Sequence, residues 1–227
     1  MSNPDSLWDE KRAERYVRLY GDPREKVGTQ SQLCKTAAKL VRGTSILDFG
    51  CGMGHIIPYI DQDGYVGLDY SKTMLEYLGN FFPNVTTIYG DATAPTEKVI
   101  ETLESQHLPT SYDTTVSLSL AIHLPTVNMV RDLLQNMWAL CTQAMILGVE
   151  TVGNKIITRP DGLTLRNISV GGVYKLLEGI VPSHKIQYVH QKILYQPIIS
   201  VFPFEDPPLI MQPPQILSRT TLFIAQK

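Results

Sequence analysis

From Thr44 onward the chain alternates short apolar runs with longer stretches in which apolar residues return every three or four positions. That alternation predicts βαβ units and a largely parallel sheet. Runs at 45–49, 65–68, 85–89, 114–118 and 144–149 predict five strands, and stretches at 56–60, 71–80, 97–106 and 126–140 predict the helices between them. The last of these turns Val127, Val130, Leu133, Leu134 and Met137 inward, the spacing of a helix packed on a sheet. A polar, irregular stretch then runs to Asn167, followed by a predicted helix at 169–180 and strands at 185–193 and 220–225. Ahead of the first strand, Ser6-Leu7-Trp8-Asp9 reads as a capping box, and Trp8, Ala13, Tyr16, Val17 and Tyr20 share one helical face until Gly21-Asp22-Pro23. A second amphipathic stretch uses Leu33, Ala37, Leu40 and Val41 and ends at Gly43. There is no internal repeat.

Composition adds boundaries to this pattern. A chain of 227 residues, 43% hydrophobic and 19% charged, can bury one sizeable core, so one α/β domain is expected. Residues 1–43 form an N-terminal helical cap and 44–227 the sheet domain, with a Pro-rich insertion at about 194–218. That insertion is too apolar for a disordered linker and reads as an ordered, packed loop. The formal net charge is -2 and the 20 basic residues are scattered, which leaves no footprint for a nucleic-acid backbone. No signal-peptide core and no membrane-spanning run is present. Cys34, Cys51 and Cys141 are odd in number and widely spaced, fitting neither a disulfide framework nor a zinc site. A cytoplasmic protein, monomer or homodimer, is the expectation.

The candidate chemistry starts where the first strand ends. Gly50, Gly52 and Gly54 follow Ile46-Leu47-Asp48-Phe49 directly and are expected to open a helix. Glycine lets the backbone turn sharply and lets a ligand lie against the main chain without meeting a Cβ atom. The second strand ends at Asp69, seventeen positions after Gly52, where this kind of fold offers a carboxylate to ribose hydroxyls; capping the following helix is the competing role. Asp91 beyond the third strand suits an exocyclic amine such as adenine N6, or an Asx-turn. Asp48 could meet the cationic amino end of a ligand or hold the glycine loop together. A dinucleotide enzyme would share the turn and the acid, but its fingerprint is Gly-x-Gly-x-x-Gly, whereas here Gly54 falls two positions after Gly52 and His55 follows.

Leu47 through Gly54, Gly67-Leu68-Asp69-Tyr70-Ser71, Gly90-Asp91-Ala92, and Tyr112-Asp113 through His123-Leu124 resemble the class I S-adenosylmethionine-dependent methyltransferases over residues 44–150. The resemblance implies an α/β, Rossmann-like, seven-stranded, mostly parallel sheet whose last strand runs antiparallel between its neighbours. It implies S-adenosylmethionine as cofactor and S-adenosylhomocysteine as product. Gly50 and Gly52 would touch the methionine part, with Asp48 and Cys51 in the same loop. Asp69 would meet the ribose with Tyr70 beside it, Asp91 and Ala92 the adenine, and Ser117 and Leu118 would complete the cofactor set. The stretch 118–123 would line the methyl-transfer site.

A sulfonium methyl is already activated, so transfer needs chiefly a close, aligned nucleophile and exclusion of water. His123 is the histidine placed to act as a base, or it packs beneath the cofactor. In the resembling topology the connection at 197–214 hangs over the site, where Phe202, Phe204, Leu209, Ile210 and Met211 would wall an apolar pocket or, equally, make a packed arm or dimer contact. Glu150, Arg159 and Arg166 could select a polar substrate or simply be solvated, and Trp8, Tyr16 and Tyr20 could form a lid or merely pack. The sequence after the fourth strand is Ser117-Leu118-Ser119-Leu120 rather than a Pro-Pro-Tyr box, and no paired acidic metal ligands or Pro-Cys nucleophile box appear. The expectation is metal-free methylation of a small molecule at O or N. The alternatives are a protein or RNA methyltransferase and a non-catalytic S-adenosylmethionine-binding interaction module.

Overall fold

The computed structural model describes residues 10–26, 28–151, 156–158, 164–166, 170–182, 185–193 and 218–227. Its centre is β1 (Ile46–Phe49), buried at all four positions. A strand buried on both faces must have neighbours on both edges, and β1 pairs in parallel with β2 (Tyr65–Asp69) and β4 (Tyr112–Leu118). With β3 (Thr86–Tyr89), β5 (Cys141–Thr151), β8 (Ile186–Ile193) and β9 (Ser218–Gln226), the sheet has the order β3-β2-β1-β4-β5-β9-β8. β9 runs antiparallel to both β5 and β8, so the seven-stranded, mostly parallel sheet with an antiparallel last strand is present as expected.

Side chains alternate across this sheet, and the alternation sorts the site. Leu47, Phe49, Val66 and Leu68 join the core cluster with Val99 and Leu103 of α4 (Thr96–Ser105), Leu133 and Leu134 of α5 (Val127–Leu140), and Val173 and Leu177 of α6 (Val170–Glu178). Ile46, Tyr65, Val116, Ile146 and Leu222 face the other way, onto Leu33, Cys34 and Ala37 of α2 (Gly28–Ala38) and Leu78 of α3 (Lys72–Phe81). By the two-residue period of a strand, Asp48 shares the second face with Ile46, and Gly67 and Asp69 share it with Tyr65. An N-terminal helix, α1 (Glu10–Tyr20), contributes Ala13 to a small cluster with Met53 and Met74. No helix among the described residues is long and apolar enough to cross a membrane.

Four expectations need correction or extension. The glycine turn opens no α-helix: turns lead to a single 3-10 helix at Ile57–Tyr59 with Pro58 near its start. Only ten residues separate Gly54 from β2, and one proline lies among them, so helix nucleation is not repaid by propagation. The second helix ends at Ala38, short of Leu40 and Val41, which still pack on the core from the following turn. Val127 is 39% exposed rather than inward, while Asn136 is buried. The irregular stretch before Asn167 contains an antiparallel hairpin, β6 (Ile156–Thr158) with β7 (Thr164–Arg166). Three-residue strands are too short to show a period, although Pro160-Asp161-Gly162 is a turn signature that would have marked it. Trp8, the capping box and the arm at 194–217 lie outside the described residues, but the arm's anchors are paired: Ile193 with Ser218, beside the carboxyl end of β5 where Thr151 pairs with Arg219.

Candidate active site

The turn after β1 is built from three glycines in the left-handed region, Gly50 at φ 70°, Gly52 at 52° and Gly54 at 78°. The Gly50 and Cys51 N–H groups both donate to the Leu68 carbonyl, at 2.7 and 3.2 Å, which pins the turn to the end of β2. A Cβ on Gly50 would press on Leu120 at 2.7 Å, and one on Gly54 would collide with Ile57. A Cβ on Gly52 would meet nothing within 4 Å, so this residue alone of the three faces open space.

Asp69 ties the same turn from below. Its Oδ2 accepts from Gly52 N–H at 2.8 Å and its Oδ1 from Ser71 N–H at 2.8 Å. Burial raises the Asp69 carboxyl above the usual carboxylate range, against the backbone donors of Ser71, Gly52 and Tyr70 that pull it down. The N-cap of α3 is not Asp69 but Ser71, whose hydroxyl accepts from Met74 N–H at 3.2 Å. Asp69 is thereby free of the capping role and sits against the glycine whose outer side is open.

Asp48 is 4% exposed and accepts from the Tyr65 hydroxyl at 3.0 Å. Burial pushes its carboxyl up to about 7, with the Tyr65 hydrogen bond lowering it and Asp69 raising it further. A cavity of about 50 Å³ adjoins it, lined by Asp48, Cys34, Gly50, Cys51, Gly52 and Leu118 together with Tyr16, Met53, His55 and Ile56. Burial lowers the His55 imidazole to about 4, so the ring is neutral near pH 7, and its centroid lies 6.0 Å from that of Tyr16 on α1.

At the tips of β2 and β3, the Tyr70 and Tyr89 rings approach to 5.5 Å and the Lys72 ammonium lies 5.0 Å from the Tyr89 centroid. Asp91 is exposed, and its Oδ1 accepts from both the backbone and the hydroxyl of Thr93 at 2.8 Å, an Asx-turn. Ala92 is buried, and its carbonyl accepts from Asn136 Nδ2 at 2.9 Å; the same amide reaches the Ala94 carbonyl at 2.8 Å. Asn136 therefore fixes the loop after β3 from α5. Its one sequence signal is a polar residue beside the inward-facing Leu133, Leu134 and Met137.

After β4 the chain bends at Ser119, a non-glycine residue at φ 66° whose buried hydroxyl finds no hydrogen-bond partner among the described residues. Such backbone costs about 1–3 kcal/mol and concentrates at functional sites. Ser117 is fully buried and its hydroxyl donates to the Phe49 carbonyl at 2.9 Å, holding β4 to the base of the turn, while Leu118 reaches the cavity. His123 closes a 3-10 helix at Ala121–His123, half-buried, and β7 lies against that helix. Arg159 and the side chains of Glu150, Arg166 and Tyr20 lie outside the described residues. The structure thus brings Asp48, Gly50, Cys51, Gly52, Asp69 and Leu118 around one turn, with Tyr70 and Asp91 at the neighbouring strand tips.

Residues 46–143 match the family model of the methyltransferase domain. No curated protein sequence matches the chain. Solved structures similar in fold include a TehB-like SAM-dependent methyltransferase from Corynebacterium glutamicum, 16% identical with a TM-score of 0.60, covering 96% of this chain and 100% of its own. Magnesium protoporphyrin IX methyltransferase from Synechocystis, with bound SAM, is 15% identical with a TM-score of 0.61, covering 97% of this chain and 94% of its own. The 1,6-didemethyltoxoflavin-N1-methyltransferase of Burkholderia thailandensis is 13% identical with a TM-score of 0.58, covering 95% and 86%. At these identities the likeness is one of fold. Residues 46–143 are thus similar to the methyltransferase domain, and the seven-stranded sheet that carries the glycine turn has the fold of these methyltransferase structures.

Proposed function

We propose that the protein transfers the methyl group of S-adenosylmethionine to an O or N atom of a small-molecule acceptor. The observation that carries this reading is the open side of Gly52, set between the Asp69 carboxylate and the Asp48 cavity. A space that a single Cβ would intrude on, acids on either side of it and the unpartnered Ser119 hydroxyl fit a ligand with an amino-acid end, a ribose and a base. In this reading Gly50, Cys51 and Gly52 bear on the methionine part, Asp69 on the ribose, Tyr70, Asp91 and Ala92 on the adenine, and Leu118 on the space beside the sulfur. Ser117 supports the site from beneath through its bond to Phe49.

Bound there, the donor supplies a methyl already activated by the sulfonium, so the protein's work is alignment and the exclusion of water. The N-terminal segment 1–43 acts as a cap, with Tyr16 closing the cavity beside His55. His123, neighboured by β7, takes the proton from a hydroxyl acceptor as the new bond forms. A small acceptor is supported by the near-neutral charge, by the absence of a Pro-Pro-Tyr sequence after β4, and by fold relatives whose names specify small molecules. The test is calorimetric titration with S-adenosylmethionine and S-adenosylhomocysteine, followed by methyl transfer from labelled donor to a panel of phenols, amines and carboxylates. Binding with transfer to one class is expected; no binding would refute the reading, and transfer only to protein or RNA would refute its acceptor.

A further inference from the structure

β1 and β2 pair with Ile46 opposite Tyr65 and Asp48 opposite Gly67. Asp48 and Tyr65 therefore stand on one face, two residues apart in register, and the tyrosine ring spans that offset along the strand to bring its hydroxyl to the carboxylate. Gly67 makes room for this: a Cβ there would sit 2.8 Å from Cys51 Sγ and 3.1 Å from the Tyr65 hydroxyl. A glycine in the middle of a buried strand is a cost to β2, and the space it leaves is filled by the tyrosine hydroxyl and the thiol. Tyr65 is 2% exposed, and its hydroxyl has its partner in Asp48, the one acid among the described residues that lines the cavity.

We propose that Tyr65 is a positioning residue for the methyl donor: by donating to Asp48 it holds that carboxylate, ionised, at the floor of the cavity to receive the donor's ammonium group. This rests on the proposed cofactor, and it adds a partner that acts on the ligand only through Asp48. The consequence is a linkage between donor affinity and pH. The titratable groups around Asp48 are Tyr65 and Asp69 of β2, Cys51 of the turn, Cys34 of α2, and His55 and Tyr16 at the cavity wall. Burial raises Cys34, Cys51 and Tyr65 and lowers His55 to about 4, so these four stay neutral from pH 6 to 8. Asp48, raised to about 7, changes charge within that window, with Asp69 as the acid that repels it.

The experiment compares Kd for S-adenosylmethionine in wild type and Tyr65→Phe from pH 6 to 8, with 5′-methylthioadenosine, which lacks the amino-acid end, as control. Losing the hydroxyl should raise the Asp48 midpoint by about one pH unit. The ratio of variant to wild-type Kd should then be about ten at pH 6, about five at pH 7 and about two at pH 8, the donor's own titration cancelling in the ratio. The ratio for methylthioadenosine should stay near one. A ratio that is the same at every pH is a packing defect and overturns the proposal, as does a ratio near one throughout. Should Tyr65→Phe fail to fold, wild type titrated at pH 7 in buffers of different ionisation enthalpy should release about half a proton with S-adenosylmethionine and none with methylthioadenosine; equal release overturns it. Wild type that binds neither ligand refutes the cofactor reading itself, whereas normal binding with a flat ratio refutes only the role of Tyr65.

Discussion

Replacing Gly52 by alanine separates folding from binding at the centre of the site. The residue sits at φ 52°, so alanine there costs about 1–2 kcal/mol of left-handed backbone strain. The added methyl meets no atom within 4 Å, so no packing penalty joins that cost. For a chain of 227 residues, roughly 2–4 °C per kcal/mol gives a Tm lower by about 2–8 °C. The same methyl enters the space assigned to the donor, where an unwanted methyl costs about 1–3 kcal/mol, or about 5- to 150-fold in Kd. Gly54→Ala is the contrast: the Cβ would collide with Ile57, so its damage falls on stability first. The assays are differential scanning calorimetry and isothermal titration with S-adenosylmethionine on the same preparations. Wild-type affinity in a folded Gly52→Ala protein would refute the reasoning, because the open side of the turn would then not be the ligand's.

Asp69→Ala removes the anchor of two backbone N–H groups and the proposed ribose acceptor; we expect a stability loss of about 1–3 kcal/mol and a Kd for the donor at least about tenfold higher, and unchanged affinity by calorimetry would remove the ribose assignment. His123→Ala should leave donor binding intact and lower kcat on a hydroxyl acceptor by about 10²-fold or more, with the acid-side limb of the pH profile lost; a wild-type rate across pH would retire the base. Asp48→Asn should stabilise the free protein while weakening donor binding. With the folded carboxyl raised to about 7, the native state keeps a proton that the unfolded chain loses near pH 4. Stability should therefore fall as pH rises from about 4 to 7 and level off above, and Asp48→Asn should lack that decline. Its Tm at pH 8 should exceed wild type by roughly 2–4 °C per kcal/mol recovered, and parallel pH curves for the two proteins would contradict the assignment.

The central strands of the main sheet were legible because buried strands write their burial as runs of apolar residues, and helices α3 to α6 because a one-sided contact writes a 3.6-residue period. Glycine spacing and the acids at the ends of β2 and β3 marked the candidate site for the same reason: each stands at a strand tip, a place the local pattern identifies. The missing α-helix after Gly54 shows where local reading fails. The glycines are there to shape a turn and Pro58 interrupts the segment beyond it, so the apolar Ile56, Ile57 and Ile60 pack on the core without a helix behind them. The hairpin at 156–166 escaped because its stability comes from pairing across a loop rather than from either short strand.

By itself, the sequence determined which segments bury themselves, the parallel α/β architecture they imply, and the glycine turn at the end of β1 on which the proposed function rests. What tertiary structure alone decided are relations between segments distant in the chain. Ser71 rather than Asp69 caps α3, freeing the carboxylate to hold Gly52; Asn136 reaches from α5 to fix Ala92; and the register of β1 on β2, with the gap at Gly67, brings Tyr65 to Asp48. These depend on register, rotamer and the absence of one Cβ atom, quantities that exist only once the sheet has assembled, because a strand's own pattern says which face a side chain takes but not what stands across from it.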